Sequence, residues 1–350
     1  MSNTRVHRRL HSFYDELTSV DAILRVLARE GLEEGSLTAA DLYTRSLDCQ
    51  NHGGFALLER HAALVAEYTA LREGQRVLDA GCGLGGPARY LADRFGCAVT
   101  GIDVLPARVQ AAVTLTRLVG LGDRVAYSQG DATCLPFAAP QFAQAWMLDV
   151  SIHIANKAAL FGELARVVHG DGLLVLHDQP GPLPPAMRPV TRRAPYIAPA
   201  LPQLVRYVER AGFRVLTWRD TTDTVLTYMQ GRRAELVRGG RAAPVRPNAA
   251  ASAAWRCSRP TWRPWAHRGA GQACSSPGVW RKLSGKYHAE RSEASRGAAH
   301  RQSGVPRVRT QWWTPVDMAR CNRTHERWCG RPLPCWARPW DGAQPRRLTP

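Results

Sequence analysis

The chain has 350 residues, with 47 Lys and Arg against 29 Asp and Glu, 11 Trp and 9 Cys, a length that admits one large domain or two small ones. No apolar run reaches the roughly 18 to 20 residues of a spanning helix and the first residues lack an apolar signal core, so no membrane span and a soluble, cytoplasmic protein are expected. The formal charge of +18 conceals a break: residues 1–240 hold 26 basic and 24 acidic residues, residues 241–350 hold 21 and 5.

In chain order, residues 1–70 read mostly as helices, among them VDAILRVLARE and FALLERHAALVAEY, forming an N-terminal helical cap. RVLDAG (Arg76 to Gly81) is a short apolar run closed by glycine, and GPARYLADRFG then sets Ala88, Leu91, Ala92 and Phe95 on one helical face. AVTGIDV is a second strand, followed by the helix PARVQAAVTLTRLVG with Pro106 in its first turn and Gly120 at its stop. VAYSQGD, FAQAWMLDV and GLLVLHD continue the pattern, with the helix KAALFGELARVV before the last of them. After the Pro-rich PGPLPPAMRP come the helix LPQLVRYVERAGF and the strand RVLTWRD. Strands apolar on both faces, alternating with helices, predict an α/β body over residues 71–235: a Rossmann-like parallel sheet sandwiched by helices.

The turn after the first strand, Asp79-Ala80-Gly81-Cys82-Gly83-Leu84-Gly85-Gly86, suits close approach of a ligand to backbone at a helix N-terminus. Gly81, Gly83 and Gly86 also satisfy the dinucleotide spacing G-x-G-x-x-G, and Asp103 at the end of the second strand would accept ribose hydroxyls in either case. The loop thus indicates a nucleoside cofactor without naming it. Asp79 at its mouth would attract a cationic amino-acid moiety and repel a pyrophosphate. Asp131, in GDATCLPF, brings a third carboxylate to the same sheet edge, able to accept from an adenine amino group.

With these residues in place, the sequence resembles the class I S-adenosylmethionine-dependent methyltransferase family over about residues 70–225. VLDAGCGLGGPARYLA is similar to that family's first motif, GIDV to its second, GDATCLPF to its third, and LDVSIHI followed by ELARVVHGDGLLVLHD to its fourth and fifth. GCGLGGPARYLA and the run from Asp149 to Asn156 look nearest to small-molecule enzymes: sarcosine or dimethylglycine N-, ubiquinone-type C- and sugar O-methyltransferases. The Asn/Asp-Pro-Pro-Tyr/Phe motif of many DNA and glutamine methyltransferases is absent after the fourth strand.

The resemblance implies S-adenosyl-L-methionine as cofactor and a small-molecule methyl acceptor as partner. It implies that Gly81, Gly83 and Gly85 pack against the methionine portion and ribose, that Asp103 holds the ribose hydroxyls, that Asp131 and Ala132 read the adenine, and that Asp79 and Asp149 complete the cofactor set. The plain alternative is a structural turn with helix-capping acids. His153, just past the fourth strand, is the candidate base or substrate contact, because an imidazole suits proton removal near neutrality; the alternative is a half-buried histidine opening a helix. Tyr14 resembles the N-terminal tyrosine that closes over the cofactor in some of these enzymes, although a lone aromatic in a helical cap also serves as core. His177 and Asp178, ending the fifth strand, are candidate pocket residues by placement alone.

From about residue 240 the chain mixes Arg, Trp, Cys, Pro and Ser without a period of 2 or 3.6, as in WRCSRPTWRPWAHR and CGRPLPCWARPW. Residues 240–350 are therefore expected to be a basic tail outside any folded domain, and HAERSEASR suggests out-of-frame translation. On this reading the last antiparallel strand of the sheet is missing and the strand RVLTWRD ends in an exposed edge. Two other readings stay open: an NAD-dependent oxidoreductase, and a nucleic-acid-binding or RNA-modifying protein acting through tail Arg and Trp. Cys321, His325, Cys329 and Cys335 lack the paired C-x2-C spacing of a zinc site, so no metal is expected.

Overall fold

The computed structural model describes residues 9–10, 12–14, 19–181, 195–238 and 276–282. The expectations for the rest of the tail, including the four candidate zinc ligands, lie outside the described residues. The cap comprises α1 (Val20–Arg29), α2 (Ala39–Tyr43) and α3 (Gly54–Ala66). Ser19 caps α1 by accepting from the Ala22 amide, and Thr38 with Asp41 forms a capping box on α2. The body then runs β1 (Arg76–Ala80), α4 (Gly86–Phe95), β2 (Ala98–Asp103), α5 (Pro106–Leu118), β3 (Val125–Gln129), β4 (Phe142–Leu148), α6 (Lys157–Val167), β5 (Val168–Asp178), α7 (Leu201–Arg210), β6 (Phe213–Trp218), α8 (Thr222–Arg238) and β7 (Ser276–Lys282).

The seven strands lie in the order β3-β2-β1-β4-β5-β7-β6. β1 to β5 pair in parallel, whereas β7 is antiparallel to both β5 and β6. Alternation along β1 sends Val77 and Leu78 to opposite faces. Val77 joins Leu58, Val65 and Leu91 beneath α3 and α4, and Leu78 joins Phe161, Leu164 and Val208 beneath α6 and α7. Both faces are therefore covered, as the parallel α/β reading requires. Among the described residues no helix is long and apolar enough to cross a membrane.

The expectation of a missing last strand is corrected. SPGVWRK inserts between β5 and β6, with Val175 opposite Val279 and Val215 opposite Trp280. Val279 and Trp280 are buried on opposite faces, one in each core, and the Lys282 ammonium donates to the Val168 carbonyl. β6 thereby has a neighbour on the side where a bare edge was expected.

Candidate functional site

The strand order reverses between β2-β1 and β1-β4, and a crevice opens at the carboxyl ends of these strands, the usual binding position in an open α/β sheet. The cavity there measures about 330 Å³. Of the residues expected from the sequence, Tyr14, Asp79, Gly81, Gly83, Asp103, Asp131, Ala132, Asp149 and His153 line it together. Gly85 and His177 are not part of its wall.

The floor is the turn leaving β1. Gly81 has φ 86°, and a Cβ there would sit 2.4 Å from Val150 Cγ2, so only glycine lets this turn pass under the end of β4. Gly85 instead starts α4 in the left-handed region, where a Cβ would meet the Tyr127 hydroxyl at 2.2 Å; its task is to aim the helix. Asp103 braces the turn, its two carboxylate oxygens accepting from the Gly83 and Leu105 amides at 2.9 Å each. Asp131 accepts from the Thr133 amide and hydroxyl at 2.8 and 2.7 Å, which holds Gly130–Thr133 against the cavity.

Asp79 is 2% exposed, and its Oδ2 has no hydrogen-bond partner among the described residues. Burial, followed by the neighbouring Asp103, pushes its carboxyl up to about 7. Burial likewise raises the Asp103 carboxyl. Two acids thus share one wall at the cost of ionising less readily.

The opposite wall follows β4. Asp149 has φ 59°, an uncommon conformation for a residue other than glycine. Its Oδ2 accepts from the His52 amide at 2.6 Å and lies 3.1 Å from His52 Nδ1, while Oδ1 lies 3.1 Å from His177 Nδ1. Burial opposes its ionisation, but His177 and His52 outweigh that and hold the carboxyl far below the usual range. His177 is wholly buried behind Asp149, and its Nε2 meets the Thr221 hydroxyl at 3.3 Å. Asp178 is buried beside the same pair, and burial, then Asp149, lifts its carboxyl to about 7.

His153 ends a short 3-10 turn, Ser151–His153. Its Nδ1 lies 2.6 Å from the Pro195 carbonyl, which can only accept, so Nδ1 carries the proton and Nε2 presents its lone pair. The Tyr14 hydroxyl donates to that Nε2 at 3.0 Å. Burial depresses His153 to about 4 and raises the Tyr14 phenol, so the pair is neutral at ordinary pH. Arg108 stacks over the Tyr14 ring, 5.6 Å from its centroid. The segment carrying Pro195 is fastened to this wall by the Ile197 amide on the Ile152 carbonyl at 2.6 Å. The Lys157 ammonium adds bonds to the Ser151 and Ile197 carbonyls at 2.6 and 2.8 Å.

Sequence reasoning missed Gln50, Asn51, Arg108 and Ile197 as lining residues. The first two sit in a loop whose only local sign is the polar, glycine-rich run Gln50-Asn51-His52-Gly53-Gly54. Asn51 is 5% exposed; its Nδ2 donates to the Gly54 carbonyl at 3.2 Å and its Oδ1 has no partner among the described residues.

Residues 78–176 match the family model described as a methyltransferase domain. The chain is 35% identical over 120 residues to methyltransferase GfsG of Streptomyces halstedii, covering 34% of this chain and 43% of that protein. It is 31% identical over 121 residues to the sterol 24-C-methyltransferase of Eremothecium gossypii, covering 35% and 32%. The chain thus spans less than half the length of these curated relatives. Among solved structures, phosphoethanolamine N-methyltransferase 2 of Haemonchus contortus, in complex with S-adenosyl-L-methionine, superposes with a TM-score of 0.55 at 18% identity. That superposition covers 75% of this chain and 60% of the other, and at such identity it speaks for the fold.

Proposed function

We propose that this chain, whose sheet and glycine turn form a class I S-adenosylmethionine-dependent methyltransferase domain, transfers the methyl group of S-adenosylmethionine to a small molecule. The observation that carries the reading is Asp79: a buried acid with a partnerless oxygen, facing a nucleoside-sized crevice beside Asp103, calls for a positively charged guest. A dinucleotide would bring a pyrophosphate to the same turn, and Asp79 would repel it. The family match supports the first of these nucleoside readings.

The residues present fit the cofactor. Asp79 would hold its ammonium, Gly81 and Gly83 would lie under its methionine portion, Asp103 would take its ribose hydroxyls, and Asp131 with Ala132 would border its adenine. When bound, S-adenosylmethionine supplies an electrophilic methyl group on a sulfonium, so the protein chiefly aligns the nucleophile and manages its proton. His153 is the neutral contact on the acceptor side. Its Nδ1 is committed to Pro195, its Nε2 lone pair accepts from Tyr14, and burial keeps the ring neutral. Tyr14 keeps its own proton and orients Nε2.

The test is calorimetric titration of the full chain with S-adenosylhomocysteine and, separately, with NADH. Saturable binding of the first alone is expected. Asp103→Ala should weaken it by at least about tenfold, since it removes two charge-assisted contacts that shape the turn. Binding of NADH in place of S-adenosylhomocysteine overturns the proposal.

A further inference from the structure

We infer that Asp149 and Asn51 form the wall that recognises the methyl acceptor, and that this acceptor is an amine. The inference rests on the methyl-transfer reading and adds the chemical class of the acceptor. Two observations meet at one place in the cavity. Asp149 is a carboxylate set between two histidines, His52 and His177, each 3.1 Å away, on a left-handed backbone that turns it out of the line of β4. Next to it in sequence from His52, Asn51 has its Nδ2 fixed to the Gly54 carbonyl, which leaves a buried Oδ1 with no partner in the cavity wall. Asn51 offers a buried acceptor without a donor, which is costly, and Asp149 adds a carboxylate beside it.

The same wall carries Val150, whose side chain overlies Gly81, and His153. It therefore faces the end of the glycine turn where the methionine portion would end and the acceptor would begin. Methyl transfer moves charge across that gap. The lone pair of a neutral amine forms the new N–C bond while the S–C bonding pair returns to sulfur. The donor is left as a neutral thioether and the acceptor becomes an ammonium. Its N–H proton is then released to solvent, restoring a neutral amine. A fixed carboxylate at the acceptor side favours that displaced positive charge, and Asn51 Oδ1 receives an N–H. An anionic acceptor such as a phenolate would be repelled by Asp149. An alkene would become cationic without giving Asn51 a donor.

Sinefungin carries an ammonium where the transferred methyl would be, so it reports the charge preference of this wall without any acceptor. Calorimetry on the full chain should show sinefungin bound at least about tenfold more tightly than S-adenosylhomocysteine. Asp149→Asn, which keeps shape and suits a left-handed backbone, should bring the two affinities within roughly threefold. Asn51→Leu, which leaves Asp149 in place, should reduce the preference by a few-fold and provides a second reading if the first variant folds poorly. A wild-type ratio near one, or a preference that survives in both variants, overturns the inference, as does an equal loss of both ligands in Asp149→Asn. If the wild type binds neither ligand, the methyltransferase reading itself fails, and this inference with it.

Discussion

Asp48→Ala tests whether the helical cap is built into the glycine turn or merely rests on it. Arg89, on α4, has no exposed surface and directs its donors to four acceptors on three elements. Nε and Nη2 donate to Asp48 Oδ2 at 3.1 and 2.8 Å, Nη2 also to the Leu84 carbonyl at 2.6 Å, and Nη1 to the Ala112 carbonyl and Thr116 hydroxyl at 3.2 and 2.9 Å. Removing the carboxylate leaves a buried cation with neutral partners only. Breaking a buried pair on one side costs about 3 to 5 kcal/mol, and the remaining carbonyls place the expected loss near the lower end. Against a typical stability of about 5 to 15 kcal/mol this is a large fraction. Urea unfolding of the full chain should show a lowered midpoint with little change in slope. Because Leu84 belongs to the glycine turn, affinity for S-adenosylhomocysteine should fall as well. Replacing both partners, Asp48→Leu with Arg89→Met, should cost less than Asp48→Ala alone, since no charge is then stranded. A loss below about 1 kcal/mol for Asp48→Ala, or a double variant less stable than the single one, would refute the reasoning.

Gly81→Ala should abolish nucleoside binding in a folded protein, because the added Cβ meets Val150 at 2.4 Å and the backbone has φ 86°; fluorescence titration with S-adenosylhomocysteine checks it. Asp79, raised to about 7, is roughly half protonated at pH 7, and an arriving ammonium favours its carboxylate. Binding there should release about half a proton, seen as a heat that varies with buffer ionisation enthalpy and is absent in Asp79→Asn. His153 lies near 4, below the ordinary value of 6.5, so the unfolded chain binds more protons between those two values. Its contribution to stability is present above 6.5 and lost as pH falls toward 4, and His153→Gln should flatten that window in thermal melts. A chain ending at Arg238 would lack β7 and leave β5 and β6 without their shared neighbour; it should melt lower or aggregate in light scattering.

The parallel strands and the glycine turn were legible because each is announced locally. β1, β4 and the second half of β5 carry short apolar runs, and Gly81 and Gly83 both take positive φ within one turn. β7 was not legible for the opposite reason. Val279 and Trp280 pack into the cores, but they stand among Ser, Pro, Gly, Arg and Lys, and their partners lie far back in the chain. A segment with two adjacent apolar residues among polar ones has neither an alternating pattern nor an apolar run to show. His177 was placed at the pocket because it ends β5, yet the pairing with Asp149 turns it behind the wall, which strand position alone does not disclose.

The loop from Asp48 to Gly54 shows how contacts without a period come to shape a site. Asp48 turns inward to Arg89, Gln50 lies over Gly83, Asn51 enters the cavity and His52 donates its amide to Asp149. Each residue answers a different element, so hydrophobic periodicity carries no trace of the loop, and no motif describes it. Its two ends bear on the two halves of the site: one on the turn expected to hold the cofactor, the other on the wall assigned to the acceptor. A shift of the cap would therefore reach both halves through one short segment. Packing of α1 onto α5 through Ile23, Leu27 and Leu115 opposes such a shift from the far side. The site is consequently held by the cap as much as by the sheet, and Asp48→Ala should alter cofactor and acceptor affinity together, whereas substitutions at Asp131 should alter the first alone.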